Sequence, residues 1–436
     1  MTPSLRLLEP TRLVADYDDH LASLSDCALA EAAIDAVARP PRESSSFLMH
    51  APLEILARVA QLPDVSPERR RLARMQLVAT AVAFGKARSA DRVGPESRGG
   101  EAPAITRRLC EAIEGGDVDA AHACALALAD AGSSPSVLAA LAERTAPFLG
   151  AAVHGPIFLQ LCLRTPPQLR PLRLLPGIAR ALAASPDVRI RSALRGPDGV
   201  RSAPPAEVGR AFEQATLAVT SPRPPRYMGI APLVQAAEEG GAATRALAPA
   251  WGILEASHVS AAFAGLARSA ARSMVDDAVT WSKYGWSHAL TIPHGWWGLS
   301  PLCRRPTPLL HAASIVLLAH RAGYGETVLD AARPLRTSGQ PLGEALLESP
   351  RAAAAAAAGL AAEARPGAWT MLSSEASVRT DAHLVKYVWT CRDAAGMDPA
   401  GEPLYLAAAA TLTAVWMAEV PEEALLSEVT SSDRAS

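Results

Sequence analysis

Lysine is nearly missing from this chain. The 436 residues include 42 basic side chains, and only Lys86, Lys283 and Lys386 are lysine. Asparagine does not occur, and the richness in Ala, Arg and Pro indicates a compositional bias that turns merely basic positions into Arg. Arg stays protonated, whereas a buried Lys can lose its proton and act as a base or become carboxylated. A retained lysine is therefore a candidate for chemistry, and a chance position on a solvated helix face is the alternative.

Other absences exclude whole classes of protein. The six cysteines are scattered without a CxxC pair, which argues against zinc fingers and disulfide scaffolds. The net charge is −2 and no basic run is long enough to follow a phosphate backbone, so we expect no nucleic-acid partner. The N-terminus lacks the apolar core of a signal peptide, and the apolar runs are too short to span a bilayer. These patterns predict a cytoplasmic protein with no membrane partner.

The short motifs of common enzyme classes are missing as well. Neither GxGxxG nor GxxxxGK[ST] occurs, so a nucleotide-binding fold has no support. There is no GxSxG and no HExxH. One Glu-x-x-His, from Glu255 to His258, would suit half of a di-iron carboxylate site on a helix bundle, but the second pair that such a site needs is absent.

The apolar pattern predicts helices throughout. Ala and Leu recur at intervals of three and four, as in the stripe of Leu53, Leu56, Ala57 and Ala60, and alternating β-branched runs are few. We expect an all-α fold, a single large multi-helix domain over residues 1–426 with a histidine-lined central pocket. A candidate subdivision lies near 196–209, a flexible loop is expected at 87–104 and a disordered tail at 427–436. A helix is expected to begin at Pro52.

Several histidines lie in apolar surroundings, which is where imidazoles need partners. His50 precedes Pro52, His154 lies at an apolar junction, and His288 and His294 share one segment. A single buried histidine is most often a satisfied core residue, but a set of them indicates a shared polar centre. Neutral imidazole binds iron, copper, nickel and zinc. Three other histidines, His20, His122 and His320, show no supporting pattern, and we interpret them as structural or exposed.

His383 and Lys386 are one helical turn apart, so they share a helix face with Tyr387. No carboxylate stands at the spacing that usually completes a histidine–iron site. A carboxylated lysine would supply the missing oxygen ligand, and its formation needs an uncharged amine in a partly desolvated place. Lys386 beside His383 fits that requirement.

Tryptophan is confined to one part of the chain. All eight tryptophans lie between Trp251 and Trp416, and four of them fall in the segment from Trp281 to Trp297. Such a density beside histidines is typical of a pocket for a flat aromatic ligand. The alternative is that these tryptophans fill a helical core.

Four segments, taken together, resemble the questin oxidase-like proteins, an all-helical group of fungal and bacterial oxygenases. They are Met49-His50-Ala51-Pro52, Val153-His154-Gly155, Trp286-Ser287-His288-Ala289-Leu290-Thr291 and His383-Leu384-Val385-Lys386. Their order and wide spacing cover most of the chain, from Phe47 to Trp416. The run after His154 is apolar where the family leads us to expect a polar one, which indicates a different substrate or an altered site.

The resemblance implies a mononuclear non-haem iron oxygenase that opens a ring of an anthraquinone-type polyketide, by Baeyer–Villiger or dioxygenase chemistry. The implied ligands of the ferrous ion, Fe(II), are His50, His154, His288, His383 and a carboxylated Lys386, and His383 and Lys386 are also the implied catalytic pair. The expected substrate contacts are Tyr284, Trp286, His294, Trp296 and Tyr387. The reserve ligands are His258, His294 and His311. The expected partners are an aromatic polyketide and dioxygen, with NADPH as a candidate reductant.

Two other classes of function fit the same sequence. One is a non-enzymatic all-α interaction scaffold, whose Ala-rich helices offer grooves to a partner. The other is a metal-dependent hydrolase that uses the same histidines. Metal content separates the scaffold from both enzymes, and dioxygen uptake separates the oxygenase from the hydrolase.

Overall fold

The chain folds as an all-α domain. The computed structural model describes residues 5, 13–38, 46–85, 100–131, 134–191, 202–221, 229–277, 283–421 and 425. Within these ranges it contains twenty α-helices and no β-strand, only an isolated bridge between Phe148 and Arg189. The predicted fold class is therefore confirmed. Among the described helices, none combines the length and the apolar character needed to cross a bilayer.

The helices are short to medium in length and follow one another closely. The first ten are α1 (Leu13–Asp16), α2 (Asp26–Val37), α3 (Ser46–Gln61), α4 (Pro67–Gly85), α5 (Ala102–Gly115), α6 (Val118–Ala131), α7 (Pro135–Thr145), α8 (His154–Arg164), α9 (Leu175–Ala183) and α10 (Pro205–Leu217). The second ten are α11 (Ile230–Gly240), α12 (Ala242–Trp251), α13 (Val259–Asp276), α14 (Lys283–Leu299), α15 (Thr307–Tyr324), α16 (Leu342–Glu348), α17 (Pro350–Ala358), α18 (Arg365–Val378), α19 (Ala382–Met397) and α20 (Glu402–Glu419). Short 3₁₀ turns join several of them, and the one at Ala151–Val153 leads directly into α8.

Local sequence explains where many of these helices begin. The side chains of Ser25, Ser134 and Ser349 accept hydrogen bonds from backbone N–H groups in the first turns of α2, α7 and α17. Asp381 caps α19 in the same way. Each of these caps satisfies an N–H group that has no partner within its own helix.

Two expectations about boundaries were wrong. Helix α3 begins at Ser46 and continues through Pro52. Proline in a helix interior removes one backbone hydrogen bond, but packing of α3 against α4, α8 and α19 outweighs that loss. The expected loop at 87–104 ends early, because α5 starts at Ala102. Residues 87–99 and the predicted tail at 427–436 lie outside the described residues, and the candidate division at 196–209 falls partly on α10, which starts at Pro205.

Four helices form the centre of the molecule. Helix α3 packs against α8 and α19, and α14 packs against the same two helices, so the four close into a ring. Helices α8 and α14 run in the same direction, because Gly295 lies against Pro156 and Gly298 lies against Gln160. A Cβ atom at Gly295 would stand 2.6 Å from the Pro156 backbone, so only glycine permits this approach.

Buried polar side chains fix α3 against the start of α19. Arg58 donates to the carbonyls of Ser377 and Arg379 at 2.7 and 2.6 Å, and Gln61 donates to the Val385 carbonyl at 2.6 Å. These bonds satisfy backbone carbonyls at the junction between α18 and α19. They hold the first turn of α19 next to the end of α3.

Candidate metal centre

Each helix of the central ring contributes one histidine to its interior. They are His50 on α3, His154 on α8, His288 on α14 and His383 on α19. The imidazole centroids are 4.5 Å apart for His50 and His154 and 4.5 Å apart for His50 and His383. They are 4.9 Å apart for His288 and His383 and 5.3 Å apart for His154 and His288. The four predicted histidines therefore come together.

Three of these histidines place nitrogens at a spacing suited to one ion. Ring nitrogens of His50, His154 and His288 all lie within 4.8 Å of one another. The Nε2 atoms of His154 and His288 are 3.3 Å apart. Two nitrogens that each bind a metal at about 2.0–2.1 Å stand roughly 3.0–3.4 Å apart when they occupy adjacent positions. The three-histidine group could thus hold a metal ion.

Backbone carbonyls set the tautomers of two of these imidazoles. His154 Nδ1 lies 2.7 Å from the Ala151 carbonyl, and His288 Nδ1 lies 2.7 Å from the Tyr284 carbonyl. A carbonyl oxygen only accepts, so both Nδ1 atoms donate and the lone pairs are on Nε2. Two such Nε2 atoms 3.3 Å apart repel unless a proton or a metal ion lies between them. This arrangement of hydrogen bonds is the usual one around metal-binding histidines.

The backbone before α8 has a strained conformation that orients the His154 side chain. Ala151, Ala152 and Val153 have φ angles of 52, 48 and 59°, all in the left-handed region. That region costs about 1–2 kcal/mol for each residue that carries a Cβ atom, and Val153 is β-branched as well. The turn places the Ala151 carbonyl where it receives the His154 proton. Strain of this kind concentrates at functional sites.

Lys386 is buried next to the histidines, at 1% exposure. Its Nζ atom has no hydrogen-bond partner among the described residues. Burial lowers the pKa of Lys386 to about 7, although the negative charges of Asp381 and Glu54 act in the opposite direction. A large share of this amine is therefore uncharged at neutral pH, as carboxylation requires.

Burial also keeps the imidazoles neutral. It lowers the pKa of His50, His154, His288 and His383, and the charge of Lys386 lowers each of them further. Asp381 opposes this at His383, because its Oδ2 lies 3.5 Å from His383 Nδ1. Neutral imidazole is the form that binds a metal ion.

Sequence reasoning missed two buried groups close to this centre. Glu54 stands one turn after His50, accepts hydrogen bonds from Arg58 at 2.8 Å and Thr80 at 3.0 Å, and its charge acts on Lys386. His320 is fully buried, donates from Nδ1 to the Val316 carbonyl at 2.7 Å, and contributes to the lowered pKa of His288. The spacing of four between His50 and Glu54 was a usable signal. No local pattern marks His320.

The expected substrate contacts divide into two sets. Tyr284 lies against the centre, with its ring 4.6 Å from that of His383, and Tyr387 is buried on α19 with its hydroxyl beside the Cys391 thiol. Trp286 and Trp296 are 0% and 1% exposed, and Trp286 packs on Tyr324. These two tryptophans fill the helical core, in line with the alternative interpretation of the tryptophan cluster.

The reserve ligands do not belong to the three-histidine group. His258 ends a 3₁₀ turn after Glu255 rather than sharing a helix with it, so this pair does not have the geometry of a di-iron motif. His311 packs 6.3 Å from Trp251. His294 is buried, and its Nε2 lies 3.0 Å from Asp393 Oδ2.

Comparison of the chain with protein-family models, with curated proteins and with solved structures finds no match.

Proposed function

We propose that this protein is a non-haem iron oxygenase that cleaves a ring of an anthraquinone-like aromatic polyketide in natural-product biosynthesis. The observation that carries the proposal is the pair of Nε2 lone pairs 3.3 Å apart inside a ring of four imidazoles. Such an arrangement is unfavourable without a cation. The resemblance to questin oxidase-like proteins supplies the reaction class.

The residues that would hold iron are His50, His154, His288, His383 and Lys386. Imidazole nitrogen suits iron, and a carboxylated Lys386 would add an oxygen ligand with negative charge. Its buried amine, without a described partner, fits that modification. When bound, ferrous iron would supply the electrons that let dioxygen react with an organic substrate. The protein orients the imidazoles through the carbonyls of Ala151 and Tyr284.

Aromatic and hydroxyl groups beside the histidines suit a flat, hydroxylated ligand. The Tyr284 ring lies 4.6 Å from His383 and 6.1 Å from Trp416. The Tyr387 hydroxyl is buried beside the Cys391 thiol, a weak acceptor, so a phenol or a quinone oxygen would be a stronger partner for it. Tyr284 and Tyr387 are the contacts we retain for the substrate. Tyr284 and His288 are both partly exposed, so the approach is expected from their side.

Two oxygenase outcomes are open, and they differ in stoichiometry. In a dioxygenase, both oxygen atoms enter the cleaved carbon–carbon bond and no external reductant is needed. In a Baeyer–Villiger reaction, one oxygen atom enters beside the carbonyl and the other leaves as water, with two electrons from NADPH and two protons. Isotope-labelled dioxygen distinguishes the two by the number of labelled atoms in the product.

Elemental analysis and dioxygen uptake test the proposal. Protein purified without chelator is expected to contain about one iron per chain and to consume dioxygen with a dihydroxyanthraquinone and NADPH. Lys386→Arg keeps charge and bulk but cannot be carboxylated, so it is expected to lose iron and turnover. Lys283→Arg is the matched control, because Lys283 forms an ion pair with Glu419, lies over the Trp416 ring and is not among the residues that would hold iron.

Other metals define the competing result. A three-histidine group also suits catalytic zinc, which would make the protein a metal-dependent hydrolase. Stoichiometric zinc without dioxygen uptake would establish that alternative. Iron bound normally by the Lys386→Arg variant would exclude this lysine as a ligand.

A further inference from the structure

A second polar cluster lies two helical turns from the metal centre. Asp393 Oδ2 is 3.0 Å from His294 Nε2 and accepts a hydrogen bond from Gln160 at 3.2 Å, and Asp393 Oδ1 lies 3.1 Å from Arg164. His294 and Gln160 are buried, whereas the Arg164 side chain is 42% exposed. The cluster therefore joins the interior to the surface.

The cluster uses three of the four helices that form the centre. His294 follows His288 on α14 by six residues, about 9 Å of helix, and Asp393 follows Lys386 on α19 by seven residues, about 10.5 Å. Gln160 follows His154 on α8 by six residues. Contacts between these helices join residues near their N-terminal ends to one another, and residues further along to one another. Helices α8, α14 and α19 therefore run in the same direction. The two polar groups thus stand at successive levels of one helix bundle.

Thr390 lies between the two levels. It follows Lys386 by four residues and precedes Asp393 by three, so all three share one face of α19. Thr390 is fully buried, and its hydroxyl has no hydrogen-bond partner within the described residues. Thr411 and Thr413 on α20 instead donate to the carbonyls four residues earlier, at 2.8 and 2.9 Å. The Thr390 hydroxyl forgoes that local bond.

Three buried polar atoms therefore mark a line between the levels. They are Lys386 Nζ, Thr390 Oγ1 and Gln160 Oε1, and none has a partner in the described part of the chain. Leaving a buried hydroxyl or amide unbonded is destabilising, and folded proteins satisfy such groups with internal water. Lys386 and Thr390 share one face of α19 with Asp393, which Gln160 reaches from α8, so water along this face would bond to all three groups.

We propose that Thr390, Gln160, His294 and Asp393 line a file of water that carries protons between the surface at Arg164 and the buried centre. The proposal rests on the proposed oxygenase function, because the Baeyer–Villiger outcome consumes one proton besides the NADPH hydride for each dioxygen and the dioxygenase outcome moves the phenolic proton. Asp393 is the acceptor at the outer end and His294 its relay partner. Burial alone would raise the pKa of Asp393, but the hydrogen bond from His294 and the charges of His294 and Arg164 hold it below its ordinary value.

The first test uses the metal-free protein and needs no activity. Thr390→Val removes the hydroxyl without changing the shape of the side chain, and Thr413→Val on α20 is the matched control that loses a known hydrogen bond. If Thr390 bonds to water, both variants lower the thermal midpoint by a similar amount, about 1–2 °C. A higher midpoint for Thr390→Val would mean that the hydroxyl sits in a dry core, and the water file would be wrong.

The second test follows proton delivery in the iron-loaded protein. The probe is dissolved dioxygen alone: its reduction to hydrogen peroxide would oxidise two ferrous ions and take up two protons. Asp393→Asn is expected to slow this oxidation about 10–100-fold, to enlarge the solvent deuterium isotope effect, and to leave the iron content unchanged. Asp398→Asn is the control. Asp398, like Asp393, is paired with an arginine, here Arg268, and it accepts a hydrogen bond from Tyr405, but it belongs to neither the metal centre nor the Asp393 cluster.

The outcomes separate the two proposals. Wild-type protein that binds no iron refutes the oxygenase, while the threonine pair still reports on the water file. Iron oxidation in Asp393→Asn at the wild-type rate, with the wild-type isotope effect, overturns the proton path and leaves the oxygenase standing. A loss of iron in that variant would make Asp393 part of the support for the metal centre instead.

Discussion

His288 and His294 lie on the same helix, two turns apart, and have opposite surroundings. His288 stands among three other imidazoles and a buried amine, and burial together with those neighbours lowers its pKa. His294 faces a carboxylate at 3.0 Å, which is itself held by an arginine. The second histidine has an electrostatically complete environment. The first does not, and a metal ion bound through the imidazole lone pairs would complete it.

The largest expected effect is on metal content. His288→Gln removes one nitrogen of the three-histidine group and is expected to reduce bound iron from about one per chain to almost none. His294→Gln is expected to leave it unchanged, because His294 belongs to the carboxylate cluster. Elemental analysis of both variants measures the difference. Equal iron loss in the two would abolish the distinction between the two histidines.

The next effect is on the free energy of unfolding, which a substitution at the metal centre and one in the Asp393 cluster are expected to change in opposite directions. In metal-free protein, Lys386→Met removes a buried amine that lacks a described partner, so the free energy of unfolding is expected to rise by about 1–3 kcal/mol. Asp393→Asn removes the charge that pairs with His294 and Arg164, so the same quantity is expected to fall by about 1–2 kcal/mol. Urea denaturation with chelator present measures both. Destabilisation by Lys386→Met would show that the amine has a structural role.

The pH dependence of stability sharpens the comparison further. His320 has a folded pKa of about 4 because it is buried, against about 6.5 in an unfolded chain. Between these values the unfolded chain binds a proton that the folded chain does not, so stability falls as the pH falls, by up to about 1.4 kcal/mol for each pH unit. The lowered pKa values of His50, His154, His288 and His383 act with the same sign.

Asp393 behaves differently, since its folded pKa is lowered. Its stabilisation is present above the unfolded value of about 3.9 and is lost only as the pH falls through the lower folded value. His320→Gln is expected to reduce the slope of the free energy of unfolding against pH between pH 6.5 and 4, because one fewer proton is then taken up on unfolding. Urea midpoints measured across this range test the assignment, and an unchanged slope would contradict the neutral state of His320.

The smallest effect lies in the turn that aims His154. Ala152 is exposed and has a φ of 48°, so Ala152→Gly is expected to raise the free energy of unfolding by about 1 kcal/mol. Ala236→Gly at an exposed position inside α11 is the control, and it is expected to lower stability by a similar amount. Destabilisation by both would show that Ala152 is not strained.

The sequence predicted the composition of the site better than its surroundings. His50, His154, His288 and His383 meet as expected, because a set of such histidines, unlike a single one, indicates a shared polar centre. Lys386 is buried as predicted from its retention against an arginine bias. The reaction, the metal and the carboxylation stay predictions.

Features that depend on packing between distant segments were not predictable. Trp286 and Trp296 could line a pocket or fill a core with the same spacing, and only the fold shows that they are in the core. His294 was grouped with His288 because the two are close in sequence, yet a partner on α19 decides its surroundings. The left-handed turn before His154 contains no glycine or asparagine, so its residue types do not predict it.

The ring of α3, α8, α14 and α19 draws its histidines from almost the whole length of the polypeptide. His50 stands near the beginning and His383 near the end, so neither half of the chain can assemble the ligand set by itself. Metal would then bind only after the last helices dock, and its binding energy would be added to the cooperative folding of the entire molecule. A nick or truncation far from the ring would release the ion as surely as the loss of a ligand.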